Sequence, residues 1–222
     1  MNFRINRTAL LAAVAIVATT NASVAMAVSD TAHVHRSATT APIPAAALRA
    51  KLNTLLQEHA YLAAGATNAA LGGRQAEFQA AAGALDANSV DLSKAIGMVY
   101  GPGAETAFLA LWRKHIGFFV DYATGVAKKD KAKQEKAVND LVGYTGDFGA
   151  FLASANPNLP KAAVADLVKT HVLTLKDVVD AQAMGDQKKA YTALRSAAGH
   201  MMMIADPLAM AIAKQFPDRF AN

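Results

Sequence analysis

From residue 45 to residue 215 apolar side chains return every three or four positions, the period of a helix with one buried face. The pattern breaks at LGGR (71–74), YGPG (100–103), AKKD (127–130), NPNLP (156–160) and MGDQ (184–187). These breaks predict six helices, over about 45–71, 74–99, 103–127, 130–154, 160–184 and 187–215. Gly72-Gly73 and Gly185 suit helix C-termini, and Pro102 and Pro160 suit helix starts. Asp130 and Asp186 stand where caps or first-turn acids belong. No stretch alternates in a strand's period of two, so the expected class is all-α.

The pattern also repeats. Sliding the chain by 56 residues superposes His59, His115 and His171. The same shift aligns Leu52 with Phe108 and Val164, Leu56 with Trp112 and Val168, and Ala63 with Phe119 and Leu175. On the following helices it aligns Ala81, Ala137 and Ala193, then Leu92, Phe148 and Ile204. The helix breaks coincide as well. The expectation is a six-helix up-down bundle built from three diverged hairpins of about 56 residues.

Each hairpin carries a second polar residue on its returning helix: Asn88, Tyr144 and His200. Each is as far beyond the turn as the histidine of its own hairpin is before it, roughly 20 Å at 1.5 Å per residue. All six therefore stand at one height on otherwise apolar faces. A buried polar group without a partner costs about 1–3 kcal/mol. Such a layer must bond within itself, to water or to a ligand. Asp91 and Asp147 lie one turn further along and are candidates to orient an imidazole through its second nitrogen. Closure of the hairpins about a three-fold axis would bring His59, His115 and His171 together. A flatter array would pair His171 with His200.

Composition narrows the chemistry. The 222 residues are 53% hydrophobic and include no Cys, so neither disulfides nor thiolate ligands exist. A metal here would use His, Tyr, Asn, carboxylate or Met. The candidate ligands are His59, His115, His171, His200, Tyr144 and Asn88, with Asp91, Asp147 and Met203 around them. Copper is the first expectation, since GHMMMIADPLAM puts Met201, Met202, Met203 and Met210 near His200; zinc and haem are alternatives. Methionine also fills cores, and a polar layer also fixes helix register. A structural or interaction protein of the cell envelope, with an unidentified protein partner, is therefore the competing reading. No H-E-x-x-H, G-x-S-x-G, S-x-x-K or phosphate-binding loop occurs, and no nucleophile stands out, so no enzyme activity is expected.

The N-terminus carries an address. MNFRINR holds two Arg and no acid, a short apolar stretch follows, and Ala25-Met26-Ala27 fits signal-peptidase cleavage. Residues 1–27 are expected to be a signal peptide, 28–44 a disordered leader containing the His33/His35 pair, and 45–222 the bundle. The expected location is secreted or periplasmic, with no transmembrane segment after cleavage. Loss of Arg4 and Arg7 lowers the formal charge from +5 to +3. The charges alternate in sign, so no nucleic-acid partner is expected.

The motifs LWRKHIGFFVDY, ANPNLP, GHMMMIADPLA and QFPDRF resemble those of uncharacterised exported bacterial helical proteins, often labelled copper amine oxidase-like. The resemblance covers about residues 48 to 220 and implies copper. It carries over no catalytic residue: amine oxidases place a modified Tyr after Asn, and no Asn-Tyr pair occurs here.

Overall fold

The structure, a computed structural model, describes residues 43–221. The expected signal at 1–27, and the leader up to residue 42, lie outside the described residues. Six helices follow one another: α1 (Ala45–Leu71), α2 (Gln75–Tyr100), α3 (Pro102–Lys128), α4 (Lys131–Ala155), α5 (Lys161–Ala183) and α6 (Gln187–Gln215). Neighbours in sequence pack against each other, and α6 returns to α1, closing a ring. Helices α1, α3 and α5 also touch one another inside that ring. The result is three hairpins around a pseudo-three-fold axis, with the outgoing helices innermost. At the ends, β1 (Ile43–Pro44) and β2 (Phe220–Ala221) form a two-residue parallel ladder that ties the start of the bundle to its finish.

The three hairpin turns are built alike. Gly73, Lys129 and Gly185, 56 residues apart, all take positive φ (71°, 58° and 73°). In each turn the next residue's N–H reaches back to a carbonyl five residues earlier: Arg74 to Ala69 at 2.9 Å, Asp130 to Gly125 at 2.8 Å, Asp186 to Ala181 at 3.0 Å. This closes the helix C-terminus and satisfies carbonyls that would otherwise be left over. Asp130 and Asp186 then cap the returning helices, accepting from the N–H of Lys133 (3.0 Å) and Lys189 (2.9 Å). Lys129 holds a left-handed conformation that favours glycine. Lys129→Gly is expected to raise stability by about 1 kcal/mol, read as a higher denaturant midpoint at unchanged slope.

The far end of the bundle is held by side chains. Asn156, fully buried, donates to the Tyr100 hydroxyl at 3.0 Å, and Tyr100 donates to Gln215 at 3.0 Å. Gln215 in turn donates to the Ala155 carbonyl at 3.0 Å, so all three hairpins meet in one chain of bonds. By length and composition α6 is apolar enough to cross a membrane; here it packs between α5 and α1.

Along the axis the inner helices present residues in 4-3-4 steps, such as Leu52, Leu56, His59 and Ala63 on α1. That is the stripe by which parallel helices face a shared seam. Layers of Leu52/Phe108/Val164 and Leu56/Trp112/Val168 lie on one side of the histidines and Ala63/Phe119/Leu175 on the other, all buried. The 56-residue period therefore places three imidazoles in one cross-section of an apolar core.

Candidate metal centre

His59, His115 and His171 converge. One ring nitrogen from each lies within 4.8 Å of the other two. The ring centroids of His59 are 5.4 Å from those of His115 and 5.5 Å from those of His171; the third separation is 6.5 Å. The residues are 2%, 4% and 3% exposed. Trp112 covers one side, its ring edge-on to His59 at 4.9 Å and to His115 at 4.5 Å. On the other side the methyl of Ala63 faces the larger Phe119 and Leu175, leaving a void of about 10 Å³. That is about the least space that takes one water molecule.

The electrostatics follow from burial. Desolvation first, and then the mutual repulsion of the rings, hold His59 well below the ordinary imidazole value. His115 is lowered to about 3, by burial and then by His171, against a smaller opposing pull from the Trp112 carbonyl. His171 is lowered to about 4, by burial and then by His200. Among the described residues no carboxylate contributes to any of the three. The rings are neutral at pH 7, each with one lone pair free to bind. Yet the Nδ1 atoms of all three are buried without a hydrogen-bond partner.

Comparison with protein-family models, curated proteins and solved structures finds no match.

The remaining candidates lie around the triad in different ways. Asn88 and His200 are at the expected height but turn to the backbone of the neighbouring outgoing helix. Asn88 donates to the Leu55 carbonyl at 3.0 Å and to Glu58 at 2.7 Å. The Nε2 of His200 is 2.9 Å from the Leu167 carbonyl and donates to it, since that oxygen only accepts. The two bonds are one design repeated, each spanning 33 residues, and they turn both side chains to the neighbouring backbone, although the Asn88 Oδ1 is left buried without a partner. Tyr144 occupies the third such place and differs. Its ring lies over His115 at 5.0 Å, 26° from parallel, and its buried hydroxyl has no partner. Burial, and then the charge of Asp147, push that hydroxyl's pKa well above 10, so it is not an anionic ligand at pH 7. Tyr144→Phe is expected to stabilise the metal-free protein by about 1–2 kcal/mol, read by denaturant unfolding.

Asp91 and Asp147 do not orient the imidazoles. Both are more than half exposed and pair outward, with Lys94 at 3.2 Å and Lys114 at 3.6 Å. Met203 is 58% exposed, and Met202 and Met210 are exposed as well, so these thioethers point away from a triad sealed in the core. Of that cluster only Met201 is buried. Two features escaped the sequence reading: the cover formed by Trp112 and the void beside Ala63. The alignment of Ala63 with Phe119 and Leu175 carried the signal for the void, since one methyl set against two large side chains leaves space.

Three neutral imidazoles at these separations suit a metal ion. Bonds of about 2.0 Å in a trigonal set put the nitrogens about 3.5 Å apart. Each ring therefore needs to move by less than about 1 Å. The void leaves room for one water-sized fourth ligand and none for a porphyrin, so haem does not fit.

Proposed function

We propose that the protein binds one copper ion, as copper(I), at His59, His115 and His171, and holds it without catalysing a reaction on it. The observation that carries this reading is the buried triad with three unpartnered Nδ1 atoms. Charge supports copper(I) over a divalent ion. No carboxylate faces the rings, so a divalent ion would bury two uncompensated charges, and a monovalent ion only one. Zinc would need a hydroxide in the void to offset its charge. The sealed core supports binding rather than turnover, since the void admits no substrate beyond a water-sized molecule. An exported protein that holds copper(I) away from bulk solvent is the role this arrangement suits. The N-terminal pattern of charge, apolar run and cleavage site supports export.

The test is thermal unfolding under reducing conditions with copper(I). At free metal a hundredfold above Kd the linkage is about 2.7 kcal/mol. That raises the midpoint by about 5–10 °C for a domain of this size. A melting curve unmoved by saturating copper(I) and zinc(II) would contradict the proposal.

A further inference from the structure

A second space lies between α1, α2 and α3, on the hairpin-turn side of the triad. It is a cleft of about 170 Å³. Ala63, Leu85, Ile116 and Phe119 line both this cleft and the void beneath the histidines, so the two spaces adjoin. The cleft is made by alanines, above all Ala66 and Ala70 on α1 and Ala82 on α2. Shifts of 56 residues place Tyr122 and Val178 at the position of Ala66, Val126 and Gln182 at that of Ala70, and Val138 and Leu194 at that of Ala82. The other two hairpins carry larger side chains at all three places; the first is cut back to methyl groups.

The polar groups around this cleft are already engaged. Arg113 gives two N–H donors to the Asp86 carboxylate, both at 2.8 Å. The Thr124 hydroxyl donates to the Val120 carbonyl at 2.8 Å, and the Thr67 hydroxyl lies 2.8 Å from Gln182 Oε1 and 3.1 Å from the Ala64 carbonyl. Arg113 and Asp86 neutralise each other, so neither offers the cleft an unpaired charge. Recognition here works by shape and apolar contact. The volume is close to that of an apolar protein cavity of about 150 Å³ that takes up benzene.

We propose that the cleft between α1, α2 and α3 is a binding site for a compact neutral apolar molecule of one or two rings, with Ala66, Ala70 and Ala82 providing the room. The site needs no metal, so it stands or falls separately from the copper reading. Ala63 and Phe119 border both sites.

The experiment is an NMR titration of the metal-free full chain with toluene, and separately with benzoate, an anion of similar size. The expected result is saturable shifts with toluene confined to residues 63–71, 78–86 and 116–127, and at least tenfold weaker binding of benzoate. Ala66→Tyr combined with Ala70→Val installs the second hairpin's side chains and should weaken toluene binding at least tenfold. Ala82→Phe provides a separate filling variant should the double one fail to fold. Shifts that do not saturate or that spread over the whole surface would overturn the proposal. So would benzoate binding as tight as toluene, or undiminished toluene binding by a folded, filled variant.

Discussion

Between pH 7 and pH 5 the metal-free protein is expected to lose about 4 kcal/mol of folding stability through His115 and His171, about 2 for each, with His59 adding to the loss in the same direction. In the unfolded chain each imidazole takes up a proton near pH 6.5. In the folded protein His115 and His171 stay neutral down to about 3 and about 4, and His59 is lowered well below its ordinary value too. The unfolded state therefore binds more protons throughout this window, and stability falls as pH falls. It is fully present above pH 6.5. The slope persists until the folded rings themselves protonate. The loss is large against a typical total of about 5–15 kcal/mol. Glu77 and Asp206 are held below their ordinary values by Arg74 and Arg49, so their contribution falls at lower pH. Guanidinium unfolding at pH 7, 6 and 5 measures the slope. His59→Leu alone should reduce it, and His59→Leu, His115→Leu and His171→Leu together should flatten it. A wild-type protein equally stable at pH 7 and pH 5 would show that the rings are not sequestered.

The affinity of the folded protein for copper(I) is expected to be nearly constant over the same two pH units. An exposed set of three histidines with ordinary pKa values must release protons to bind metal, and loses about 10⁴-fold in affinity from pH 7 to pH 5. Here burial has removed those protons beforehand: His115 and His171 are already deprotonated at pH 5. Binding should release almost no protons. Competition against a chelator of known pH dependence measures this directly, and buffers of different ionisation enthalpy give the proton count by calorimetry. The two expectations share one cause. The desolvation that makes the metal-free fold acid-sensitive also prepares the site for metal. Saturating copper(I) should therefore raise the stability at pH 5 as much as at pH 7, provided the bundle remains folded. A steep loss of affinity with acid would point to ligands in the N-terminal segment, such as His33 and His35, rather than to the core.

Height along the bundle was legible in the sequence, and direction around each helix was legible only in part. The 56-residue period placed His59, His115 and His171 in one layer because identical hairpins put identical positions at one elevation. It equally placed Asn88, Tyr144 and His200 there. It could not show that the outgoing helices are innermost. That depends on the order of helices around the ring, which a stripe on a single helix does not specify. Asn88 and His200 face the neighbouring backbone, where the carbonyls of Leu55 and Leu167 accept their hydrogen bonds. Those contacts depend on side-chain reach across an interface. Asp91, Asp147 and Met203 show the same limit: one turn in sequence from the layer, they point into solvent. The turns were the most legible feature. Glycine at 73 and 185 marks two of them, and the third shows as the AKKD break in the apolar pattern although Lys129 stands in the left-handed position.

The central claim is that a single metal ion sits among three core imidazoles. X-ray absorption at the metal edge, on protein loaded with one equivalent of copper(I), tests it most directly. The expected spectrum has three imidazole nitrogens at about 2.0 Å, and the three-imidazole signal is lost in the His59→Leu, His115→Leu, His171→Leu variant. A signal that survives that triple substitution, or one with sulfur or carboxylate oxygen in place of the imidazoles, would contradict the account.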